Sequence, residues 1–233
     1  MGVEACLNGG RTRAEHAGVP LTAAELAADA RAVRAAGAFA VHVHPRDRQG
    51  LETMDAKASD AAVAAIRAST PGLPVGLSTS AAIDPDPFAR AAAITAWRQQ
   101  PDFVAVDVSE VGWAGIARTA LRAGISVEAA LSAPADAEEL RRSPFAHQVL
   151  RALVEVEGGA DDARAIAELV PDGVLQLWHG SGERTWEVIS AAALAGVDVR
   201  VGLEDVLVLP DSRAAADNAE LVAAAIALLR GSD

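Results

Sequence analysis

Short apolar runs alternate along this chain with longer alanine-rich stretches whose apolar positions recur at helical spacing. The runs at 3–8, 39–44, 74–78, 103–108, 125–130, 149–156, 174–178 and 197–203 are rich in Val, Leu and Ala and predict strands. The stretches at 22–36, 55–69, 84–99, 113–123, 134–142, 160–169, 184–195 and 214–230 predict helices. Local chemistry marks several ends. Thr22 and Glu25 have capping-box spacing, and Gly37 stops that helix. Asp84 is expected to cap the third helix with Pro85 at its first position, while Gly124 and Gly196 close two others.

Eight strand-then-helix units at even spacing, with strands apolar on both sides, predict a parallel sheet covered by helices. Eight is the count that closes a (β/α)8 TIM barrel, an α/β fold, and residues 1–233 are expected to form that barrel as one domain. A doubly wound open sheet would place a glycine-rich phosphate loop after the first strand. Asn8-Gly9-Gly10-Arg11 has the spacing of neither phosphate-binding motif.

In a barrel, polar residues at the carboxyl ends of strands are candidates for chemistry. His42 and His44 end the second strand two residues apart, so both imidazoles share a face, an arrangement that offers two nitrogens to one divalent cation. In Arg200-Val201-Gly202-Leu203-Glu204-Asp205 the alternation turns Val201 and Leu203 toward the helices and Arg200 and Glu204 inward. The eighth strand closes beside the first, so Glu204 can complete a two-histidine, one-carboxylate metal site, with Gly202 leaving room. An inward Arg200 needs an anionic partner, such as Asp205 or a substrate. Ser78 and Ser80 share a face after the third strand, as do Asp107 and Ser109 after the fourth; Asp107 could orient a metal histidine. Glu128 is an inward carboxylate in the fifth strand. Glu155 and Glu157 at the end of the sixth are less specific. Trp178-His179-Gly180-Ser181-Gly182 reads either as a phosphate-binding turn at a helix start or as a tight connection with His179 facing solvent.

Composition narrows the partners. Lys and Arg total 20 against 32 Asp and Glu, a net charge of −12, which disfavours nucleic acid and anionic membranes. Aromatic residues make up 3% of the chain, leaving few platforms on which bases could stack. The single cysteine, Cys6, excludes a disulfide framework. The chain shows no signal-peptide pattern, and its apolar runs fall short of a bilayer span, so a cytoplasmic protein is expected.

The segments ACLNGGRTR, VPLTAAELAADARAVRAAGAFAVHVHPRD, VRVGLEDVLVLP and ADNAELV together resemble the β-keto acid cleavage enzymes, the likeness being weaker from the fourth strand to the seventh. The resemblance implies a (β/α)8 barrel that uses Zn2+, another divalent metal being an option. It implies condensation of a β-keto acid with acetyl-CoA, giving acetoacetate and a new acyl-CoA, and a homo-oligomer, tetramer or dimer. By motif, His42, His44 and Glu204 are the implied metal ligands. Arg200 and Asp205 are the pair assisting deprotonation, with Ser78 and Glu128 as further catalytic residues. Asn8, Arg11, Ser80, Asp107, Trp178, His179 and Gly180 are expected at the substrate. Two positions depart from the family: Arg11 stands near a usual acidic residue, and Val206 replaces an Asn. Two other readings stay open at this stage: a metal-dependent lyase or hydrolase that does not use CoA, and a non-catalytic small-molecule-binding barrel.

Overall fold

The structure is a computed structural model and describes residues 1–231. Eight parallel strands close into a barrel in chain order: β1 (Val3–Cys6), β2 (Ala40–Val43), β3 (Val75–Ser78), β4 (Phe103–Asp107), β5 (Ser126–Leu131), β6 (Arg151–Val156), β7 (Gln176–Gly180) and β8 (Asp198–Val201). The ring closes where β8 pairs with β1, setting Glu4 opposite Arg200. The covering helices are α1 (Ala23–Ala36), α2 (Ala56–Ser69), α3 (Pro87–Ala96), α4 (Trp113–Arg122), α5 (Pro134–Arg142), α6 (Ala160–Ala167), α7 (Thr185–Ala195) and α8 (Asn218–Arg230). This is the (β/α)8 TIM barrel that the apolar pattern predicts. Among the described residues no helix is long and apolar enough to cross a membrane.

Thr22 and Glu25 form the expected capping box, the Thr22 hydroxyl accepting from the Glu25 amide and the Glu25 carboxylate accepting from the Thr22 amide. Several boundaries move. α3 starts at Pro87 with Asp86 as its cap, because a residue preceding a proline avoids the helical region and Asp86 precedes Pro87. α8 starts at Asn218, capped by Asp217, rather than at 214. β7 runs two residues further than expected, so His179 and Gly180 belong to the strand and not to a glycine-rich turn.

The main core lies between sheet and helices, where Val41, Val43, Val199, Val201 and Leu203 are wholly buried. Inside the barrel the apolar filling is Ala130, Leu153 and Leu177 with Phe39 against them, and Phe103, whose ring fills the space over Gly76. Charge occupies the rest. Toward the amino ends of the strands, Arg151 donates to both Glu4 and Glu128, and its guanidinium lies 5.0 Å from the Phe39 ring centre. Two fully buried carboxylates thus share one arginine, and burial followed by Glu128 pushes the Glu4 carboxyl up to about 8. Above this layer the barrel opens into a polar pocket.

Candidate metal centre

The pocket sits at the carboxyl end of the strands, with a volume of about 160 Å3. His42, His44, Ser78, Asp107, Arg200 and Glu204 line it, with Ser80 and Glu155 at its sides. His42 lies within β2 and His44 just beyond its end, so the strand alternation aims both rings at one place. Asn8 fixes the second histidine: its side-chain amide donates to the carbonyls of His44 (2.8 Å) and Pro20 (3.1 Å), while its oxygen accepts from the His44 amide (2.9 Å).

Glu204 reaches the site by a route that strand parity does not describe. β8 ends at Val201, and Glu204 stands in a turn held by amides of Asp205 and Val206 donating to the Gly202 carbonyl at 2.9 and 3.0 Å. Gly202 is required by close approach, since a Cβ there would lie 1.8 Å from the Cys6 carbonyl oxygen. The space it leaves is filled by β1 backbone rather than by the pocket. Asn218, from the ADNAELV segment, ties both strand ends together, accepting from the Leu203 amide (2.7 Å) and donating to the Leu7 carbonyl (2.8 Å). Gly9, at φ +48°, lies against the Glu204 side chain, which a Cβ would meet at 2.3 Å.

The three candidate ligands converge. His42 Nε2 and His44 Nε2 are 3.1 Å apart, His44 Nε2 lies 3.5 Å from Glu204 Oε1, and one donor atom from each residue falls within 4.8 Å of the others. Two nitrogens bound about 2.0–2.1 Å from one tetrahedral ion lie roughly 3.3–3.4 Å apart, so the spacing suits a shared divalent cation. The polar atoms give the same answer. Two ring nitrogens facing each other repel unless a proton or a cation lies between them, and Glu204 Oε2 is buried without a hydrogen-bond partner. Burial, with Arg200 and His44 adding to it, holds His42 well below the ordinary imidazole range and therefore neutral. Burial also opposes charge on His44, but Glu204 and then Glu52 outweigh it and raise that imidazole to about 9. Against its own burial, Glu204 is held well below the carboxylate range, chiefly by Arg200 and then His44. A neutral imidazole and an anionic carboxylate are the ligand forms a metal takes.

Glu52 bonds His44 Nδ1, leaving Nε2 to face the cluster, which is the usual support of a metal-binding histidine. It comes from the β2–α2 loop, which folds back through an Arg46–Glu52 bridge and a Gly50 turn. The orienting role expected of Asp107 thus falls to Glu52. Asp107 lines the pocket, and Ser109 holds its carboxylate through amide and hydroxyl bonds of 2.9 and 2.8 Å.

Arg200 is buried and pairs with Glu204 and with Asp205 at 3.4 Å. Asp205 does not line the pocket, and burial raises its carboxyl to about 6 despite Arg200 and His179. Several other expected residues lie outside the lining. Glu128 belongs to the Glu4–Arg151 layer beneath. Asn8 spends its amide on backbone. Arg11 clamps the Glu204 turn, its Nε donating to the carbonyls of Leu203 (3.2 Å) and Glu204 (3.4 Å), and pairs with Glu15. Trp178 points outward into the sheet–helix core, with its indole on Gln176. His179 points inward but lies behind the wall, fully buried, between Glu155 and Asp205. Gly180 packs against α7. The amides of the following turn are committed, Ser181 to the Val156 carbonyl (3.1 Å) and Gly182 to that of Asp205 (2.9 Å), so they form no open phosphate cradle.

These features define a (β/α)8 barrel with a His-His-Glu cluster able to hold a divalent cation at the carboxyl ends of its strands. The chain matches the beta-keto acid cleavage enzyme family over residues 1–155 and 145–233, and it belongs to that family. It is 22% identical to the 3-keto-5-aminohexanoate cleavage enzyme of Fusobacterium nucleatum subsp. nucleatum, over 98% of this chain and 90% of that protein. Among solved structures, apo ObcA superposes with a TM-score of 0.73 at 18% identity, covering 92% of this chain and 62% of that one. ObcA has also been solved in a binary complex with oxaloacetate and in a ternary complex with a C4-CoA adduct and oxalate. The chain thus spans less than two thirds of ObcA. The N-acetylmannosamine-6-phosphate 2-epimerase of Clostridium perfringens shares the fold at a TM-score of 0.60 and 11% identity, over 88% of this chain and 87% of that one.

Proposed function

We propose that this protein is a zinc-dependent β-keto acid cleavage enzyme that condenses a β-keto acid with acetyl-CoA to give acetoacetate and a new acyl-CoA. The observation that carries this reading is the convergence of His42, His44 and Glu204 beside a buried Arg200, in a chain of this family. The relative named for cleavage of a keto acid, and the ObcA complexes with oxaloacetate and a CoA adduct, support the two substrate classes. A divalent cation held by the three ligands would act as a Lewis acid toward the keto oxygen of the substrate. In this reading Ser78 and Ser80 bind the substrate carboxylate from the β3 side. Arg200, kept in orientation by Glu204 and Asp205, presents its guanidinium to the charge that develops when the substrate loses a proton. Asp205 acts through Arg200, because it does not reach the cavity. Asn8 and Arg11 serve by positioning His44 and the Glu204 turn. A homo-oligomer belongs to the same proposal, supported by Phe88 and Val111, which lie exposed at the starts of α3 and α4.

The test is zinc-loaded protein incubated with a panel of β-keto acids, with and without acetyl-CoA. Acetoacetate should appear only when both substrates are present. Product without acetyl-CoA would move the protein to a CoA-independent lyase or hydrolase, and binding without turnover would make it a binding barrel.

A further inference from the structure

His179 does not line the pocket, yet it is wholly buried inside the barrel. The pairing of β6 with β7 sets it opposite Glu155. Its Nε2 lies 3.4 Å from Glu155 Oε2, and its Nδ1 lies 3.6 Å from Asp205 Oδ1. Among the described residues neither ring nitrogen has a closer hydrogen-bond partner, so each faces a carboxylate and nothing else polar. Packing alone does not call for a buried imidazole with both nitrogens so placed; an apolar ring would fill the space without leaving two polar atoms to satisfy.

We propose that His179 is a positioning residue for the reaction: through Nδ1 it fixes the Asp205 carboxylate, and Asp205 in turn fixes the guanidinium of Arg200 at the pocket wall. The inference rests on the β-keto acid reading of the pocket and names what holds its charge-stabilising arginine in place.

Two donors meet at Asp205 Oδ1, Arg200 Nη2 at 3.4 Å and His179 Nδ1 at 3.6 Å. The other oxygen, Oδ2, is buried without a hydrogen-bond partner among the described residues, so rotation of the carboxylate is controlled from Oδ1. Arg200 is held through Nη2, shared between Asp205 and Glu204, while its Nε is buried without an acceptor. Glu204 Oε1 accepts from Arg200 and also lies 3.5 Å from His44 Nε2 in the metal cluster. As a metal ligand that oxygen has less charge to offer Arg200, which leaves Asp205 as the anchor. An ionised carboxylate only accepts, so the ring nitrogen that serves Asp205 must carry a hydrogen. Without that donor the Asp205 carboxylate can turn and the guanidinium can swing with it, and a displacement of about 1 Å is enough to cost ~100-fold in rate.

Asparagine and glutamine separate the two ends of the ring. The amide nitrogen of Asn stands two bonds beyond Cβ, as Nδ1 does, and that of Gln stands three bonds beyond it, as Nε2 does. His179→Asn therefore keeps a donor for Asp205, whereas His179→Gln keeps one for Glu155 alone. The experiment follows the Arg200 guanidinium by proton–nitrogen NMR, its signals identified by their loss in Arg200→Lys, and follows acetoacetate formation by zinc-loaded protein separately. Wild type and His179→Asn should show separate Nη resonances for Arg200; in His179→Gln these should merge as the group rotates. The value of kcat should fall about 10–100-fold in His179→Gln at unchanged KM and zinc content, and far less in His179→Asn. Equal effects of the two substitutions, the reverse order, or a loss in His179→Gln that falls on KM instead of kcat would overturn the proposal. In the wild type, long-range proton–nitrogen spectra should place a hydrogen on His179 Nδ1, and a bare Nδ1 would overturn the proposal even if neither variant folds. Arg200 resonances that follow the Asn–Gln pattern without acetoacetate formation would refute the proposed reaction and leave His179 as the residue that fixes Arg200; acetoacetate formation with neither readout following the pattern would do the reverse.

Discussion

At the scale of single residues, the chemistry depends on protonation states that the surroundings impose. His44 carries a proton up to about pH 9 because Glu204 and Glu52 overcome its burial. A metal ion must displace that proton, so zinc affinity should rise with pH toward 9 and level off above it. Calorimetry at pH 7.5 in buffers of differing ionisation enthalpy should read about one proton released per zinc bound; no release would show that the cation binds elsewhere. Glu52→Gln should weaken zinc binding roughly 10–100-fold by freeing the His44 ring. His44→Ala should remove metal and activity together, and activity at full metal occupancy would refute its role. Much of this site was legible, because an H-x-H pair ending a strand can point only one way. Glu52 was not: its place depends on a loop that folds back through Gly50, and no short-range spacing announces it. Trp178 could have been excluded by the same alternation that turns His179 inward.

At the scale of elements, the strand and helix count follows from the apolar pattern, and the errors cluster where backbone chemistry is local and competing. Asp84-Pro85-Asp86-Pro87 offers two starts, and the second wins because Asp86 is itself held out of the helical region by Pro87. Glu204 faces inward as alternation suggests, but for another reason, a turn past the end of β8 that the Cys6 carbonyl and Asn218 anchor. Gly202→Ala should therefore cost about 3 kcal/mol, the upper end of overpacking effects, and lower zinc affinity as well; chemical denaturation and zinc titration would show both. At α1, Thr22→Ala should cost about 1 kcal/mol. Amide bonds from Thr22 and Leu21 lower the Glu25 carboxyl to about 2 from 4.5, so its contribution is present above 4.5 and fades as pH falls toward 2.

At the scale of the whole molecule, the barrel interior is a stack of two charged layers rather than an apolar plug. The lower layer joins β1, β5 and β6 through Glu4, Glu128 and Arg151. Glu4 titrates at about 8 in the folded barrel against 4.5 when unfolded, so the folded state binds the extra proton. Its stabilising contribution is complete below pH 4.5 and is lost as pH rises through 8. Urea midpoints should fall across that window, and Glu4→Gln should flatten the fall; an unchanged slope in the variant would remove Glu4 as its source. The upper layer holds the candidate metal ligands, and the proposed reaction depends on their sharing one ion. Zinc-edge X-ray absorption of the loaded protein tests this most directly. Two imidazole nitrogens and a carboxylate oxygen at about 2.0–2.2 Å from the zinc are predicted, with the imidazole signal halved in His42→Ala; a zinc surrounded by oxygen alone, unaltered in that variant, would contradict the account.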